Sequence, residues 1–280
     1  MSKVKEFFGI YTARNDVDWK HIISTQHCPY TEKKCFKVRK SSPDISIGAC
    51  TVKYSNYDVV MICPHRLLER RQIFTDCVHL LSLHEPGNEL HLLSEVSVPG
   101  GSVDYFLVSV RKNKVMDFVG IELQTLDTTG SLWSERAALI HSKGINVDEA
   151  DLLIKTFGMN WKMSAKTILI QMHHKIETFE HLGKHLVLVV KECFRDYMAR
   201  EFSFSHFQQA RLGDSVHIHS YSLDEAENNS LRLRLKDRIS TDANGIALCL
   251  GLQAEAKIEL EKIIQYLEAR ISENTLLRII

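Results

Sequence analysis

The sequence predicts a mixed α/β fold (α+β in the looser sense): one mixed sheet flanked by helices. Three observations carry the prediction. Short apolar runs such as HLVLVV alternate with stretches of helical period such as NWKMSAKTILIQMHHKIETFEHLG. Polar turn signals, EPGN, PGG and RKNK, separate them. The 280 residues are 44% hydrophobic and 25% charged, which is enough for a sizeable core and ordinary for a globular chain.

The elements follow in order. Residues 1–66 read as a loop-rich, basic, cysteine-bearing region, and 67–280 as the main core. PHRLLERRQIFTDCVHLLSLH has roughly helical spacing of Leu67, Leu68, Ile73, Phe74, Val78, Leu80 and Leu81, so it predicts a helix. ELHLLSEVSV, SVDYFLVSV and VMDFVGIELQT predict three successive strands. SLWSERAALIHSKG predicts a helix ending at Gly144. On the helix beginning near Trp161, Ala165, Ile168, Met172, Ile176 and Phe179 share a face with it at spacings of three and four. KHLVLVVKE predicts a strand buried on both faces, CFRDYMAREF a helix, and DSVHIHSYSL and SLRLRLKDRIS two more strands. AEAKIELEKIIQYLEARI predicts a terminal amphipathic helix.

No apolar run reaches the ~18 residues of a membrane helix, and MSKVKEFFGIYTARND lacks a signal-peptide pattern. The expectation is a cytoplasmic protein with no membrane partner. Net charge is zero but uneven. Residues 1–53 hold ten Lys/Arg against five Asp/Glu, and residues 81–135 hold three against eight. Such a division suits a chain that meets phosphate in one place and cations in another; ordinary surface variation produces it too.

DFVGIELQTLDTTG poses the sharpest question. Val119, Ile121 and Leu123 line one face of a strand, and Glu122 and Gln124 share the other. If the second and third strands form a hairpin centred on Asn113, facing residue numbers sum to 226 and Asp104 opposes Glu122. Glu95, on the preceding strand, offers a third carboxylate. Opposed carboxylates repel unless a cation lies between them or one stays protonated. A hard ion such as Mg²⁺ suits oxygen donors and can activate water beside a phosphodiester. A solvated outer face is the plainer reading of the same spacing.

Seven cysteines, an odd number in a chain of this size, argue against a disulfide framework. Cys28, Cys35, Cys50 and Cys63 crowd into the first quarter as Cys-x6-Cys-x14-Cys-x12-Cys. Four thiolates make a closed structural site for zinc or iron. His27 and His65 are alternative ligands, and reduced core thiols are the alternative reading. Cys77, Cys193 and Cys249 sit in apolar surroundings and read as core.

Glu95, VDY with Asp104, and IELQ with Glu122 and Gln124 resemble the PD-(D/E)xK nuclease core. The chain departs from that pattern in lacking a Pro before Asp104 and in having Gln124 where the family has lysine, although some restriction endonucleases of the superfamily carry Glu-x-Gln. Taken together, CPYTEKKCFKVRKSSPDISIGACTV, CPHRLLERRQIF, LLSEVSVPGGSVDYFLVS and DFVGIELQTLDTTG resemble the NotI family of type II restriction endonucleases, over about 28–180. The resemblance implies a Mg²⁺-dependent enzyme that cuts double-stranded DNA at a specific site, leaving 5′-phosphate ends. Asp104, Glu122 and Glu95 would hold the metal and Gln124 would position water. It also implies a four-Cys iron site, a homodimer and a partner DNA methyltransferase in a restriction-modification system. Lys37, Arg39 and Lys40 are candidates for phosphates or guanine edges, and Lys162 and Lys166 for DNA backbone. A related repair nuclease, or a DNA-binding protein that keeps the fold without cutting, are the competing functions.

Overall fold

A computed structural model describes residues 2–39, 41–152, 157–226 and 229–252, with 264, 265, 268 and 269. Most of the expected terminal amphipathic helix lies outside the described residues.

The N-terminal part is more regular than its sequence suggested. Strands β1 (Val4–Phe7) and β2 (Ile10–Tyr11) precede helix α1 (Trp19–Thr25). Two short ladders follow, β3 (His27–Cys28) with β4 (Lys33–Lys34) and β5 (Val38–Arg39) with β6 (Ser42–Ser46). Strands β7 (Ala49–Tyr54) and β8 (Tyr57–Met61) complete a four-stranded sheet of order β2-β1-β7-β8. Val4, Phe7, Val52 and Val60 belong to one buried cluster with residues of the main sheet and its helices.

Residues 64–80 form a broken helical segment rather than the single helix expected. A 3₁₀ helix spans Pro64–Arg71, α2 spans Gln72–Thr75, and a 3₁₀ turn spans Val78–Leu80. The break is at Arg70 and Arg71, whose φ angles are +52° and +55°. Tertiary contacts override the helical period there. Buried Arg66 reaches both oxygens of Glu6 at 2.9 Å and donates to Glu69 at 2.8 Å and to the Leu231 carbonyl at 2.9 Å. Glu69 in turn accepts from the Leu233 amide at 2.7 Å. These bonds hold Glu69 outside the helical region, with ψ of 122°.

The main sheet contains β9 (Glu89–Val98), β10 (Gly101–Arg111), β11 (Lys114–Gln124), β14 (His185–Lys191), β15 (Gln208–Gln209), β16 (Val216–Ala226) and β17 (Ser230–Thr241). A separate short ladder pairs β12 (Thr128–Thr129) with β13 (Gly158–Met159). The strand order is β15-β17-β16-β14-β11-β10-β9. The three central strands, β11, β14 and β16, are parallel, and the flanking pairs are antiparallel. Parallel pairing requires crossovers, and helices supply them. Helices α3 (Trp133–Ser142) and α4 (Trp161–His181) join β11 to β14, and α5 (Glu192–Glu201) joins β14 to β16. Helix α6 (Ala243–Cys249) follows β17.

Burial on both faces explains the unbroken apolar run of β14. Leu186, Leu188 and Val190 pack in the cluster that contains α4, whereas Val187 and Val189 pack in the cluster with Leu67, Ile73 and Phe74. The α4 stripe is buried as the period requires, through Ala165, Ile168, Met172, Ile176 and Phe179. Phe179 stacks on Phe106 with ring centroids 6.0 Å apart. A Cβ at Gly120 would lie 2.6 Å from its ring, so the strand needs glycine there to let the helix approach.

A group of histidines lies buried under β16. The side chain of His217 comes within 3.2 Å of that of His185, and His219 is 3.7 Å from the Cys77 thiol. Burial, aided by His185, depresses His217 to about 4. Burial, aided by the Arg238 guanidinium, depresses His219 to about 2. Both are therefore neutral in the folded protein where unfolded histidine, near 6.5, takes a proton. Their stabilisation is fully present above pH 6.5 and is lost as pH falls through about 4 for His217 and about 2 for His219. Each steepens the loss by up to ~1.4 kcal/mol per pH unit below 6.5. In urea denaturation between pH 7.5 and 4.5, His219→Gln should flatten the acid limb by about that amount. An unchanged slope would show that His219 titrates normally.

Candidate active site

The hairpin of β10 and β11 adopts the expected register. Tyr105 faces Ile121, and the pairing runs in step to Ser109 opposite Asp117 before a bulge near the turn. The paired ladder ends at Tyr105, and its register continued by one residue places Asp104 opposite Glu122. Asp104 is tied there by its Oδ2, which accepts from the Leu123 amide at 2.8 Å. Glu95 comes from β9, whose pairing with β10 sets Val96 opposite Val103 and Ser94 opposite Tyr105. Its φ of +54° marks an irregularity in the ladder beside Asp104.

Burial is the main influence on both facing carboxylates. Burial drives Asp104 above the ordinary carboxylate range, and the Glu95 charge adds to that; the Leu123 amide and Lys175 work against it. Burial pushes Glu122 up to about 7, and Asp104 adds to that against the opposing pull of Lys175. Glu122 is 4% exposed. Against these carboxylates stands one buried cation among the described residues.

That cation was not foreseen. Lys175 projects from α4 and places Nζ 2.5 Å from Glu122 Oε1, and both side chains are about 5% exposed. A sequence signal existed. Lys175 lies seven residues after Ile168 and three after Met172, within the buried stripe of α4. A lysine on an apolar face is costly unless paired, and so marks a buried carboxylate.

Gln124 follows on the same strand face as Glu122. Its Nε2 donates to the Thr125 carbonyl at 2.5 Å, which leaves Oε1 as the end of the amide that can accept from a water.

The PGG turn between β9 and β10 packs against α4 beside this site. A Cβ at Gly100 would lie 2.1 Å from the His174 carbonyl oxygen, and one at Gly101 would lie 3.2 Å from Lys175 Cε. With φ of +93° and +137°, these positions also need glycine's backbone freedom. The turn and helix therefore hold Lys175 over the strand ends.

The four N-terminal cysteines occupy one region. Cys28, Cys50 and Cys63 are buried and Cys35 partly so. Cys50 and Cys63 share a thiol contact that raises Cys50 well above its ordinary value and lowers Cys63 to about 6. Cys28 bonds His65, which lowers the thiol against the effect of burial and raises the imidazole. Burial raises Cys35, and the Cys63 and Cys28 charges add to that. Among the described residues, no three His, Cys, Asp or Glu side chains stand converged as metal ligands, either here or at the carboxylates.

The proposed DNA contacts are dispersed. Lys37 Nζ donates to the Ile62 carbonyl at 2.9 Å. Arg39 lies over the Trp133 ring at 5.0 Å and 3.6 Å from Asp151. Lys162 and Lys166 are exposed on α4. Lys40 lies outside the described residues.

A family model described as restriction endonuclease NotI matches residues 24–221, taking in the four cysteines, Glu95, Asp104, Glu122 and Lys175. The protein is a restriction endonuclease, a site-specific deoxyribonuclease. It belongs to the NotI family. No curated protein and no solved structure matches the chain significantly. Its substrate is DNA, and its family generally uses Mg²⁺. No helix among the described residues is long and apolar enough to cross a membrane.

Proposed function

We propose that this chain is a Mg²⁺-dependent type II enzyme that hydrolyses double-stranded DNA at a specific site and leaves 5′-phosphate and 3′-hydroxyl ends, on a PD-(D/E)xK core in its Glu-x-Gln form. The observation that supports this best is the pair of opposed carboxylates, half-buried Asp104 and buried Glu122, at the end of a central strand. Mg²⁺ needs only one or two carboxylates, completing its shell with water and substrate phosphate, so this donor set fits. Asp104 and Glu122 would hold the ion, with Glu95 assisting. When bound, it supplies charge for the phosphodiester and a more acidic water.

The chain's own groups do the positioning. The Leu123 amide orients Asp104. Gln124, its Nε2 anchored on Thr125, offers Oε1 to the attacking water. In hydrolysis the water oxygen bonds to phosphorus, the P–O3′ bond breaks, and O3′ leaves as a hydroxyl after gaining a proton.

The first 66 residues form a small metal-braced region appended to the nuclease core of 67–280 in this reading. Cys28, Cys35, Cys50 and Cys63 would hold iron or zinc. The donor chemistry supports it: four thiols in one region, with Cys63 already favouring the thiolate. Such an ion would draw the thiols into a closed shell. Lys37, Arg39, Lys40, Lys162 and Lys166 are assigned to DNA. Enzymes cutting palindromic sites act as homodimers, and the exposed Leu90, Leu92 and Leu93 on the outer strand β9 support an association surface. A DNA methyltransferase would protect the host, and the pair would work in the cytoplasm.

Purified protein incubated with plasmid and Mg²⁺ should yield discrete fragments. Asp104→Asn and Glu122→Gln should each lower cleavage at least about a thousandfold and leave DNA binding in Ca²⁺ intact. Wild-type rates in both would remove these residues from the reaction.

Freshly purified protein should carry one iron or zinc per chain by elemental analysis. Cys→Ala at any of the four positions should lower the melting temperature and release the metal. A metal-free wild type of full activity would end the four-Cys assignment.

A further inference from the structure

We propose that Lys175 of α4 supplies the positive charge at the reaction centre that Gln124, being neutral, does not. This rests on the proposed function, whose carboxylates it completes. The geometry is specific: Lys175 is buried, contacts Glu122 at 2.5 Å, and also acts electrostatically on Asp104. Gln124 meanwhile commits its donor group to Thr125. The two glycines of the PGG turn let that turn lie on the helix backbone at His174 and Lys175, so the lysine's stem is confined by close packing. A side chain held this way loses little entropy when it meets an anion.

Two states follow from charge balance. Without a divalent cation, Lys175 neutralises Glu122. With a divalent cation held by Asp104 and Glu122, the Lys175 ammonium would be released from Glu122 and would supply positive charge to the scissile phosphate. Preorganised charge of this kind acts on the transition state, where negative charge grows. Lys175 also competes with the cation for Glu122, and that competition can be read without any cleavage.

The test compares wild type, Lys175→Met, Lys175→Arg and the double variant Lys175→Met with Gln124→Lys. Calorimetric titration of DNA-free protein with Ca²⁺ should show Lys175→Met binding at least about fivefold more tightly than wild type, because the competitor is gone. Single-turnover cleavage with Mg²⁺ should nevertheless fall about 10²–10³-fold, the usual loss for one such group. Lys175→Arg keeps the charge and should fold and retain more activity than Lys175→Met. The double variant returns a lysine to the strand and should recover at least about tenfold. Cleavage by Lys175→Met within threefold of wild type overturns the proposal. So does weaker Ca²⁺ binding that accounts for the lost rate, or a double variant no better than Lys175→Met. If Lys175→Met fails to fold, the double variant and Lys175→Arg decide by the same criteria. A wild type that cuts no DNA refutes the proposed function itself and takes this proposal with it, whereas an active wild type with an equally active Lys175→Met refutes this proposal alone.

A different observation carries a second inference: we infer that a groove lined by Arg70, Arg71, Arg232 and Arg234 is a phosphate-binding surface for the DNA duplex. An open groove of about 910 Å³ holds Arg14, Arg70, Arg232 and Arg234, and a neighbouring one of about 550 Å³ holds Arg70, Arg71 and Arg232. Glu32 also lines the second groove, but the other acidic groups there have partners of their own, Glu69 in Arg66. Asp16 is held by Arg14 at 2.6 Å, Glu225 by the Tyr11 hydroxyl at 3.2 Å, and Asp224 lies 3.6 Å from Arg234. Arg70, Arg71 and Arg232 enter no ion pair among the described residues. Arg70 and Arg71 are consecutive left-handed residues, a costly backbone kept in place by the buried Arg66, Glu6 and Glu69 network.

The location fits. Val190 of β14 is level with Gln124 on one side and Ser220 on the other, so the hairpin of β16 and β17 runs on past the end of the sheet that bears the carboxylates. Three strand spacings, ~14 Å, separate β11 from β17. One duplex turn of ~34 Å spans both.

Binding of a 20-base-pair duplex of arbitrary sequence, read by fluorescence anisotropy in Ca²⁺ across a salt series, tests this. Arg70→Asn with Arg71→Asn keeps a residue type that tolerates left-handed backbone; Arg232→Ala with Arg234→Ala completes the set. The fourfold variant should lower the slope of log affinity against log salt by about 2–4, since each phosphate that is no longer neutralised lowers it by about 0.9. Its melting temperature should stay within a few degrees of wild type. A slope that falls by less than about 0.9, the share of a single phosphate, overturns the inference. So does a loss of affinity matched by unfolding of both paired variants. Failure of wild type to bind duplex at all would instead refute the DNA reading of the whole site.

Discussion

Negative charge buried at the end of a central strand is the constraint around which the rest of this structure is arranged. Asp104 and Glu122 face each other across an antiparallel pair, Glu95 stands nearby, and burial raises both of the facing groups. A folded chain tolerates such a site only by bringing in a cation or keeping a proton. Here one cation is built in: Lys175 arrives from a helix, 53 residues further along the chain than Glu122. A single lysine facing two carboxylates is compatible with the divalent ion of the proposed function.

The fold serves that arrangement at each layer. Strands β11 and β14 run parallel, so the chain must return across a face of the sheet, and α4 lies on that return. Gly120 lets Phe179 settle against β11, and Gly100 lets the β9–β10 turn settle against α4. Two close approaches thus fix the helix at both ends of its contact with the hairpin. Close packing there confines the stem of Lys175. The glycines thus help to set the position of Lys175.

The N-terminal region is joined to the core through polar as well as apolar contacts. Arg66 gathers Glu6, Glu69 and the Leu231 carbonyl, uniting the first strand, the segment after the fourth cysteine and the edge of β17. Breaking such a buried pair by removing one partner typically costs about 3–5 kcal/mol, so this junction resists partial rearrangement. It also forces the backbone of Arg70 and Arg71 into a strained form at the mouth of the arginine groove. Two of the thiols, Cys28 and Cys50, are carried by the short β3–β4 ladder and by β7.

Much of this was legible in the sequence because it depends on local periodicity. The alternation of Val119, Ile121 and Leu123 with Glu122 and Gln124, the stripe on α4 and the doubly apolar β14 all follow from side-chain direction along a strand or helix. The hairpin register followed from the short polar turn at Asn113, and with it the opposition of Asp104 and Glu122. What the sequence alone could not decide involves residues far apart in the chain. The helix expected over 64–81 is broken because Glu69 bonds to Leu233, a partner 164 positions away. The first 65 residues hold a four-stranded sheet because β1 pairs with β7, beyond the reach of local pattern. Lys175 lies on the buried stripe of α4, but only tertiary packing brings it against Glu122. Periodicity reports which way a side chain points; only the assembled layers determine what it meets there.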